Sequence, residues 1–266
     1  MPEFIFQIPR EQLALYFGIG AMLIVLAGIV VVKPFLRLLI GGDASTNETI
    51  GLATGGFSLF YGLLLGLLTV AAYENRERTQ TAILNEASAI GSIYATIGSY
   101  PEPWRSDLRE LLRDYVQYTI NRDWPAHREG QVTEGGMNRM AAFGQWLARF
   151  KPEGVSQEVL HQAAVTSFES LKSARQMRLN GVSTRIPAVL WYAVLMGAAV
   201  SVLQLLMIRA RPVAHFVLGT ITVFFLGVVI FVIITLDAPL FGPEGLPPEP
   251  YLELWSQQMA WDEPRS

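Results

Sequence analysis

The stretch GLATGGFSLFYGLLLGLLTVAA, residues 51–72, contains 22 residues and no charged side chain. At 1.5 Å per residue, a helix of this length crosses the roughly 30 Å apolar core of a bilayer. The stretch therefore predicts a membrane span, and its position and side chains organise the interpretation of the rest of the chain.

The predicted span has two faces that differ in side-chain size. Small residues recur within a wedge of roughly 80°, and bulky residues gather in another wedge of roughly 60° on the other side. We call the first set the glycine stripe: Gly51, Gly55, Ser58, Gly62 and Gly66. We call the second set the bulky stripe: Phe57, Tyr61, Leu64 and Leu68. Because small residues let helices approach closely, the glycine stripe predicts a helix–helix contact, with an ordinary packed helix as the alternative.

Composition places the whole chain in the membrane class. Of its 266 residues, 51% are hydrophobic and only 16% are charged, against about 25% charged in soluble domains. The chain has no cysteine, and its three histidines lack metal-ligand spacing. The net charge of −3 gives no basis for nucleic-acid binding. We predict neither a metal site nor a cofactor.

Three further apolar blocks, residues 13–32, 187–208 and 213–236, predict three more spans. The fold class is therefore an all-α integral membrane protein with four transmembrane helices and a helical cytoplasmic domain between spans two and three. The predicted division is 1–72 for an N-terminal interfacial segment with spans one and two, 73–186 for the helical cytoplasmic domain, 187–236 for spans three and four, and 237–266 for a Pro-rich cytoplasmic tail.

The second span has no signal that would end it at the membrane surface. Neither glycine nor proline occurs between Gly66 and Gly91, so the helix is predicted to continue to near Gly98. Apolar residues at helical spacing predict three more helices in the domain, at about 104–123, 137–150 and 156–181.

Basic residues near the span ends indicate the orientation. Seven lie on the side of the termini and the large domain, and four lie on the opposite side. This bias predicts that both termini and the domain are cytoplasmic. The seven are Arg10, Arg76, Arg78, Lys172, Arg175, Arg178 and Arg185, and the four are Lys33, Arg37, Arg209 and Arg211.

The predicted spans contain no Asp, Glu, Lys or Arg in their apolar interiors, which argues against proton-coupled transport. The domain shows no P-loop, Gly-x-Ser-x-Gly or paired-histidine pattern, so we predict no enzyme. Three carboxylates remain as candidates for a pore mouth or ion site. Glu74 and Glu77 follow the second span, and Asp237 ends the fourth. The alternative for Asp237 is a cap on the turn at Ala238 and Pro239.

Short motifs follow one another from the second span onward. They are YGLLLG at 61–66, EAS at 86–88, YPEP at 100–103, residues 108–115, DWP at 123–125, PAVLW at 187–191, and LDAP at 236–239 with Gly242 and PEP at 248–250. In order and spacing, this set resembles the bestrophin-like family of bacterial membrane proteins, a domain of unknown function.

The resemblance implies a four-span protein of the bacterial inner membrane, and by more distant analogy an oligomeric ion channel whose second helix lines the pore. Its partners would be the lipid bilayer, permeant ions and further copies of the chain in a ring, for which we consider a pentamer. The bulky stripe would then form a narrow hydrophobic neck, with lipid as the alternative environment of these side chains. The competing hypothesis is a non-conducting membrane scaffold or sensor whose domain binds a partner. A small-solute transporter is disfavoured because the chain shows no internal repeat.

Overall fold

The structure is a computed structural model that describes residues 10–40, 44–243 and 245–262. Most of the predicted N-terminal interfacial segment lies outside the described residues. The regular structure within them is entirely helical. Its α-helices are α1 (Arg10–Ala27), α2 (Lys33–Ile40), α3 (Ala44–Ile97), α4 (Trp104–Tyr118), α5 (Trp124–Arg128), α6 (Gly135–Arg149), α7 (Val155–Ser183), α8 (Ala188–Met207), α9 (Pro212–Asp237) and α10 (Glu249–Leu254).

Four described helical stretches are long and apolar enough to cross a membrane, which confirms the predicted all-α, four-span fold. They are Gly18–Leu36, Thr46–Ile97, Ala188–Met207 and Pro212–Asp237. The first differs from its prediction, because a π-helical turn at Gly28–Val32 joins α1 to α2 without a break. Lys33 therefore lies within the first span. The predicted first span ended at residue 32, one residue before this lysine.

The second span is part of the 54-residue helix α3. The helix begins at Ala44, earlier than predicted, and ends at Ile97, close to the predicted Gly98. Its continuation past the apolar stretch has the expected cause, since no proline or glycine interrupts residues 67–90.

The described residues form two compact units. The first, which we call the membrane unit, comprises the residues up to Glu74 and Arg185–Asp237. The second, which we call the helical domain, comprises Asn75–Thr184 and the residues from Ala238 onward. The tail thus belongs to the helical domain and is not a separate region.

Hydrogen bonds and aromatic packing hold the tail within the helical domain. The indole N–H of Trp124 donates to the carbonyl of Leu246 at 2.9 Å, and the amide of Gly242 donates to the carbonyl of Arg128 at 2.9 Å. Tyr251, which is fully buried, packs edge-on against Trp124 with 5.4 Å between ring centres. These contacts hold the proline-rich tail in one defined conformation against the helices of the domain.

In the membrane unit, close helix contacts form at glycines outside the glycine stripe. A Cβ atom at Gly28 would lie 2.7 Å from a methyl group of Leu206, and one at Gly219 would lie 2.9 Å from a methyl group of Val25. A Cβ at Gly197 would overlap the ring of Tyr61. These three glycines bring the spans of one chain together, as small residues do in membrane helix packing.

Candidate functional site

The bulky stripe of α3 faces the inside of the membrane unit. Tyr61 and Leu68 are only 7% and 6% exposed, and they form one apolar cluster with Val194 of α8 and Ile233 of α9. Phe57 and Leu64 pack against the same cluster. The hydroxyl of Tyr61 donates a 2.8 Å hydrogen bond to the carbonyl of Val194. Side chains in this position hold one chain together, and this packing disfavours the pore neck that was predicted for them.

The glycine stripe is open in the single chain. Its residues are all exposed, and Cβ atoms built on Gly51, Gly55, Gly62 and Gly66 would meet nothing within 4 Å. The stripe therefore makes no close contact with another helix among the residues that the structure describes. Its role as a contact between helices of different chains stays a prediction.

A third face of α3 points away from the cluster that buries Tyr61. At 100° per residue, four apolar residues lie roughly opposite Tyr61 on the helix. We call them the open face: Leu52, Leu59, Leu63 and Val70, which are 80%, 72%, 60% and 56% exposed. The sequence did not single them out, because periodicity alone cannot tell which apolar face of a membrane helix its own chain covers.

The three candidate carboxylates have different environments. Glu74 and Glu77 are both exposed on α3. Asp237, in contrast, is only 8% exposed and accepts a 2.7 Å hydrogen bond from the backbone amide of Ile186. The guanidinium of Arg185 donates to the carbonyl of Asp237 at 3.1 Å. Asp237 thus fixes the chain that enters α8 and does not lie in water, as the alternative role of a turn cap supposed. Its placement at a pore mouth stays a prediction.

The helical domain contains a fully buried ion pair that the sequence did not predict. Arg178 of α7 binds Glu86 of α3 with two hydrogen bonds of 2.7 and 3.1 Å, and neither side chain is exposed. The hydroxyl of Tyr115 donates a 2.5 Å hydrogen bond to the same carboxylate. Two ions can be buried together because the bidentate geometry and the third donor replace their lost hydration.

His127 completes this network in its neutral form. The Nη1 group of Arg178 donates to Nδ1 of His127 at 3.1 Å, so Nδ1 must carry a lone pair. Desolvation, with the positive charges of Arg178 and Arg175, lowers the pKa of His127 to about 3. Asp123, one turn before His127, accepts a hydrogen bond from Thr133, and burial raises the pKa of its carboxyl group.

The only sequence signal for this network lies in the resemblance motifs. Glu86 begins the EAS motif, and Asp123 and Trp124 begin the DWP motif. The pairing of Glu86 with a residue 92 positions away has no local signature. Within the described residues, no group of three His, Asp or Glu side chains is arranged to hold a metal ion.

The neutral His127 predicts that acid destabilises the helical domain. Unfolded His127, with its ordinary pKa of about 6.5, takes up a proton as the pH falls, whereas the folded form does not until about pH 3. Stability therefore decreases as the pH falls through this window, by about 2 kcal/mol between pH 7 and pH 5. Hydrogen exchange of α7, followed by mass spectrometry of the full-length protein at both pH values, measures this change.

The matched comparison for this prediction is His127→Gln, because glutamine can accept the bond from Arg178 but does not titrate. The raised pKa of Asp123 makes this group stabilise the folded domain as the pH falls, in wild type and variant alike. The difference in acid sensitivity between the two proteins therefore reports on His127. We expect His161→Gln, at a partly exposed histidine, to keep most of the acid sensitivity. Equal acid sensitivity in wild type and His127→Gln would contradict the assignment.

The fold defines an integral membrane protein of the four-span class, with a helical domain between its second and third spans. The chain belongs to the bestrophin-like family, because the model of the bestrophin-like domain matches residues 19–251. No curated protein sequence matches the chain significantly.

Solved structures share this fold at low sequence identity. A bacterial bestrophin homologue from Klebsiella pneumoniae superposes with a TM-score of 0.65 at 10% identity, over 91% of this chain and 97% of that one. A point variant of a bacterial bestrophin homologue from the same organism gives 0.63 at 10% identity, over 91% and 98% of the two chains. A structure described as a membrane protein variant gives 0.64 at 11% identity, over 94% and 99%. This likeness establishes the fold.

Proposed function

We propose that the protein is an ion channel formed by a ring of identical subunits, in which α3 of each subunit lines a central pore. The observation that carries the proposal is the open face of α3. Its four apolar side chains point away from the chain's own core, within a membrane-length helix. Membership of the bestrophin-like family supports a channel over other membrane functions. The proposed number of subunits is five, taken from the family resemblance.

The proposed constriction is at Leu59 and Leu63. These leucines are one helical turn apart and 72% and 60% exposed, so copies from neighbouring subunits can approach each other across an axis. A narrow ring of leucines can close a pore by excluding water. Glu74 and Glu77 are exposed further along α3 and would attract cations to the mouth of the pore.

The glycine stripe supplies the proposed contact between subunits. On the helix it lies between the bulky stripe, which the chain covers itself, and the open face, which would line the pore. A helix from the next subunit can therefore approach α3 closely beside the pore. The helix–helix contact predicted at the glycine stripe would therefore form with a second copy of the chain.

The proposed location is the bacterial inner membrane, with both termini and the helical domain in the cytoplasm. The support is the bias of seven basic residues against four at the two sets of span ends. The proposal includes no catalytic role and no cofactor.

Recording from purified protein in planar bilayers tests the channel. We expect wild type to conduct, and we expect Leu59→Ala with Leu63→Ala to raise the conductance or open probability severalfold by widening the constriction. The matched control is Leu218→Ala, which truncates a 60% exposed leucine on α9 and should leave both quantities unchanged. If wild type and the double variant both pass no current, or if Leu218→Ala has the same effect, the proposal fails.

A scaffold or sensor function is the second candidate, and a groove on the helical domain supports it. The groove has a volume of about 650 Å³ along α4. It is lined by two rows at four-residue spacing, one of mainly acidic and one of mainly basic side chains, and by Trp255. The rows are Glu102, Ser106, Glu110 and Asp114, and Arg105, Arg109, Arg113 and Gln117. Such a surface suits a partner protein that presents both acidic and basic side chains. A monomeric, non-conducting protein would favour this function.

A further inference from the structure

Two arginines of α7 are buried in the helical domain, but their environments differ. Arg178 has no exposed surface and donates hydrogen bonds to Glu86 and His127. Arg175, three residues earlier on the same helix, is only 7% exposed. Among the residues that the structure describes, its guanidinium donates no hydrogen bond and forms no ion pair, and its Nε atom is buried. Arg175 is thus a buried cation without a direct acceptor in the described part of the chain.

Burial of a guanidinium without acceptors is costly. Arginine keeps its charge at any ordinary pH and offers five N–H donors. Removing such a group from water costs much more free energy than burying a neutral polar group, unless other acceptors replace the lost water. The helical domain meets this requirement for Arg178 with a carboxylate and an imidazole. We therefore expect that another acceptor lies beside Arg175.

Close to Arg175 lies a buried oxygen atom that also lacks a partner. Asp123 is 1% exposed, and its Oδ1 atom accepts a hydrogen bond from the hydroxyl of Thr133. Its Oδ2 atom is buried and has no hydrogen-bond partner in the described residues. A Cβ atom at Gly136 would lie 2.5 Å from this Oδ2 and 3.2 Å from Nη2 of Arg175. The carboxylate and the guanidinium therefore face the same point without forming an ion pair.

The chemistry of the two groups defines what can lie between them. Oδ2 of Asp123 needs a donor and the guanidinium of Arg175 needs an acceptor, so one bridging group must do both. An anion would be repelled by the carboxylate, and a cation would be repelled by the guanidinium. Since both atoms lie within 3.2 Å of one point, two hydrogen bonds of about 2.8–3.0 Å that share one oxygen atom can span their separation. Water meets these requirements and is small enough for a protein interior.

Gly136 contributes both room and a third hydrogen-bonding group. It is the second residue of α6, and the amides of a first helical turn have no acceptor within the helix. A side chain at this position would enter the space beside Oδ2 of Asp123. The glycine therefore keeps its own amide and both side-chain groups accessible to one small molecule.

We propose that the helical domain binds one ordered water molecule between Asp123, Gly136 and Arg175. The water accepts hydrogen bonds from the guanidinium and from the Gly136 amide, and it donates one to Oδ2 of Asp123. It thereby joins the π-helical turn Thr119–Asp123, α6 and α7. Buried waters with about three hydrogen bonds are part of a structure and are costly to remove. The proposal does not depend on whether the protein conducts ions.

An experimental structure of the full-length protein, at a resolution that shows ordered water, tests this site. We expect a density peak within about 3.2 Å of both Oδ2 of Asp123 and the guanidinium of Arg175. The peak should give no anomalous signal when bromide replaces chloride in the buffer. A wild-type structure without the peak, a direct bond between Asp123 and Arg175, or a bromide signal at the site would overturn the proposal.

Gly136→Ala removes the room for the water. We expect the density peak to be lost and the midpoint of thermal unfolding to fall by several degrees, although alanine is the better helix former. The matched control is Asn138→Ala at an exposed position of the same helix, which should keep the peak and the wild-type midpoint. A peak that persists in Gly136→Ala would show that the water is not bound beside this glycine and would also overturn the proposal.

Discussion

Arg178→Met should lower the free energy of unfolding of the helical domain by about 3–5 kcal/mol. The reason is that Glu86, which is fully buried, would lose both hydrogen bonds from the guanidinium and keep its charge. Nδ1 of His127 would lose its donor as well. The loss can be measured by denaturant unfolding of the full-length protein, followed by the fluorescence of Trp124 and the other tryptophans of the domain.

Two comparisons separate the buried charge from the loss of a long side chain. Lys172→Met removes the partner of Glu169 from the same helix, but that pair is 44% and 61% exposed and should contribute at most about 1 kcal/mol. Glu86→Gln in the Arg178→Met background removes the stranded charge and keeps an acceptor for Tyr115, so it should recover much of the stability. An Arg178→Met protein as stable as Lys172→Met would show that the buried pair does not hold the domain together.

Gly197→Ala is expected to destabilise the membrane unit by about 1–3 kcal/mol, although alanine is the better helix former. The new methyl group would overlap the ring of Tyr61, which is buried and hydrogen-bonded to the carbonyl of Val194. The ring must therefore move, and the contact between α3 and α8 must widen. Thermal unfolding of the protein in detergent, followed by size-exclusion chromatography, measures the loss.

Gly62→Ala provides the matched control, because a methyl group there meets no described atom of the same chain within 4 Å. It should leave the fold of the subunit as stable as wild type or slightly more so. If Gly62→Ala weakens oligomers without destabilising the subunit, the glycine stripe is covered by a second copy. Tyr61→Leu makes room for the methyl group, so Gly197→Ala should cost less in that background. An equal cost in both backgrounds would show that the Tyr61 ring is not the obstacle.

The sequence determined the fold class because the relevant signals are local. An apolar run of the right length predicts a span from transfer free energy alone, and all four spans were found in this way. The absence of proline and glycine after Gly66 predicted the extension of α3 beyond the apolar stretch. Proline-rich and glycine-rich segments likewise separated the helices that became α4, α6 and α7.

The first span shows where local signals were misleading. Lys33 marked the end of the span in the sequence, since a charged residue usually stands at the membrane surface. In the structure the helix continues past Lys33, and the ammonium group of Lys33 contacts Nδ1 of His215, 182 positions away in the chain. A partner so distant in the chain leaves no trace in local composition.

Only the tertiary structure decided which face of α3 the chain covers. Its bulky and small faces were both visible in the sequence, but either could turn towards α8 and α9. The choice depended on Gly197, whose missing side chain admits the ring of Tyr61, and this left the glycine stripe and the open face uncovered. The buried pair of Glu86 and Arg178 could not be predicted from local sequence either. A charged residue on an amphipathic helix is usually exposed to water, and each of the two fits that pattern when its own helix is considered alone. Burial depends on contacts between distant segments, whereas span length and helix continuity depend on neighbours in the chain.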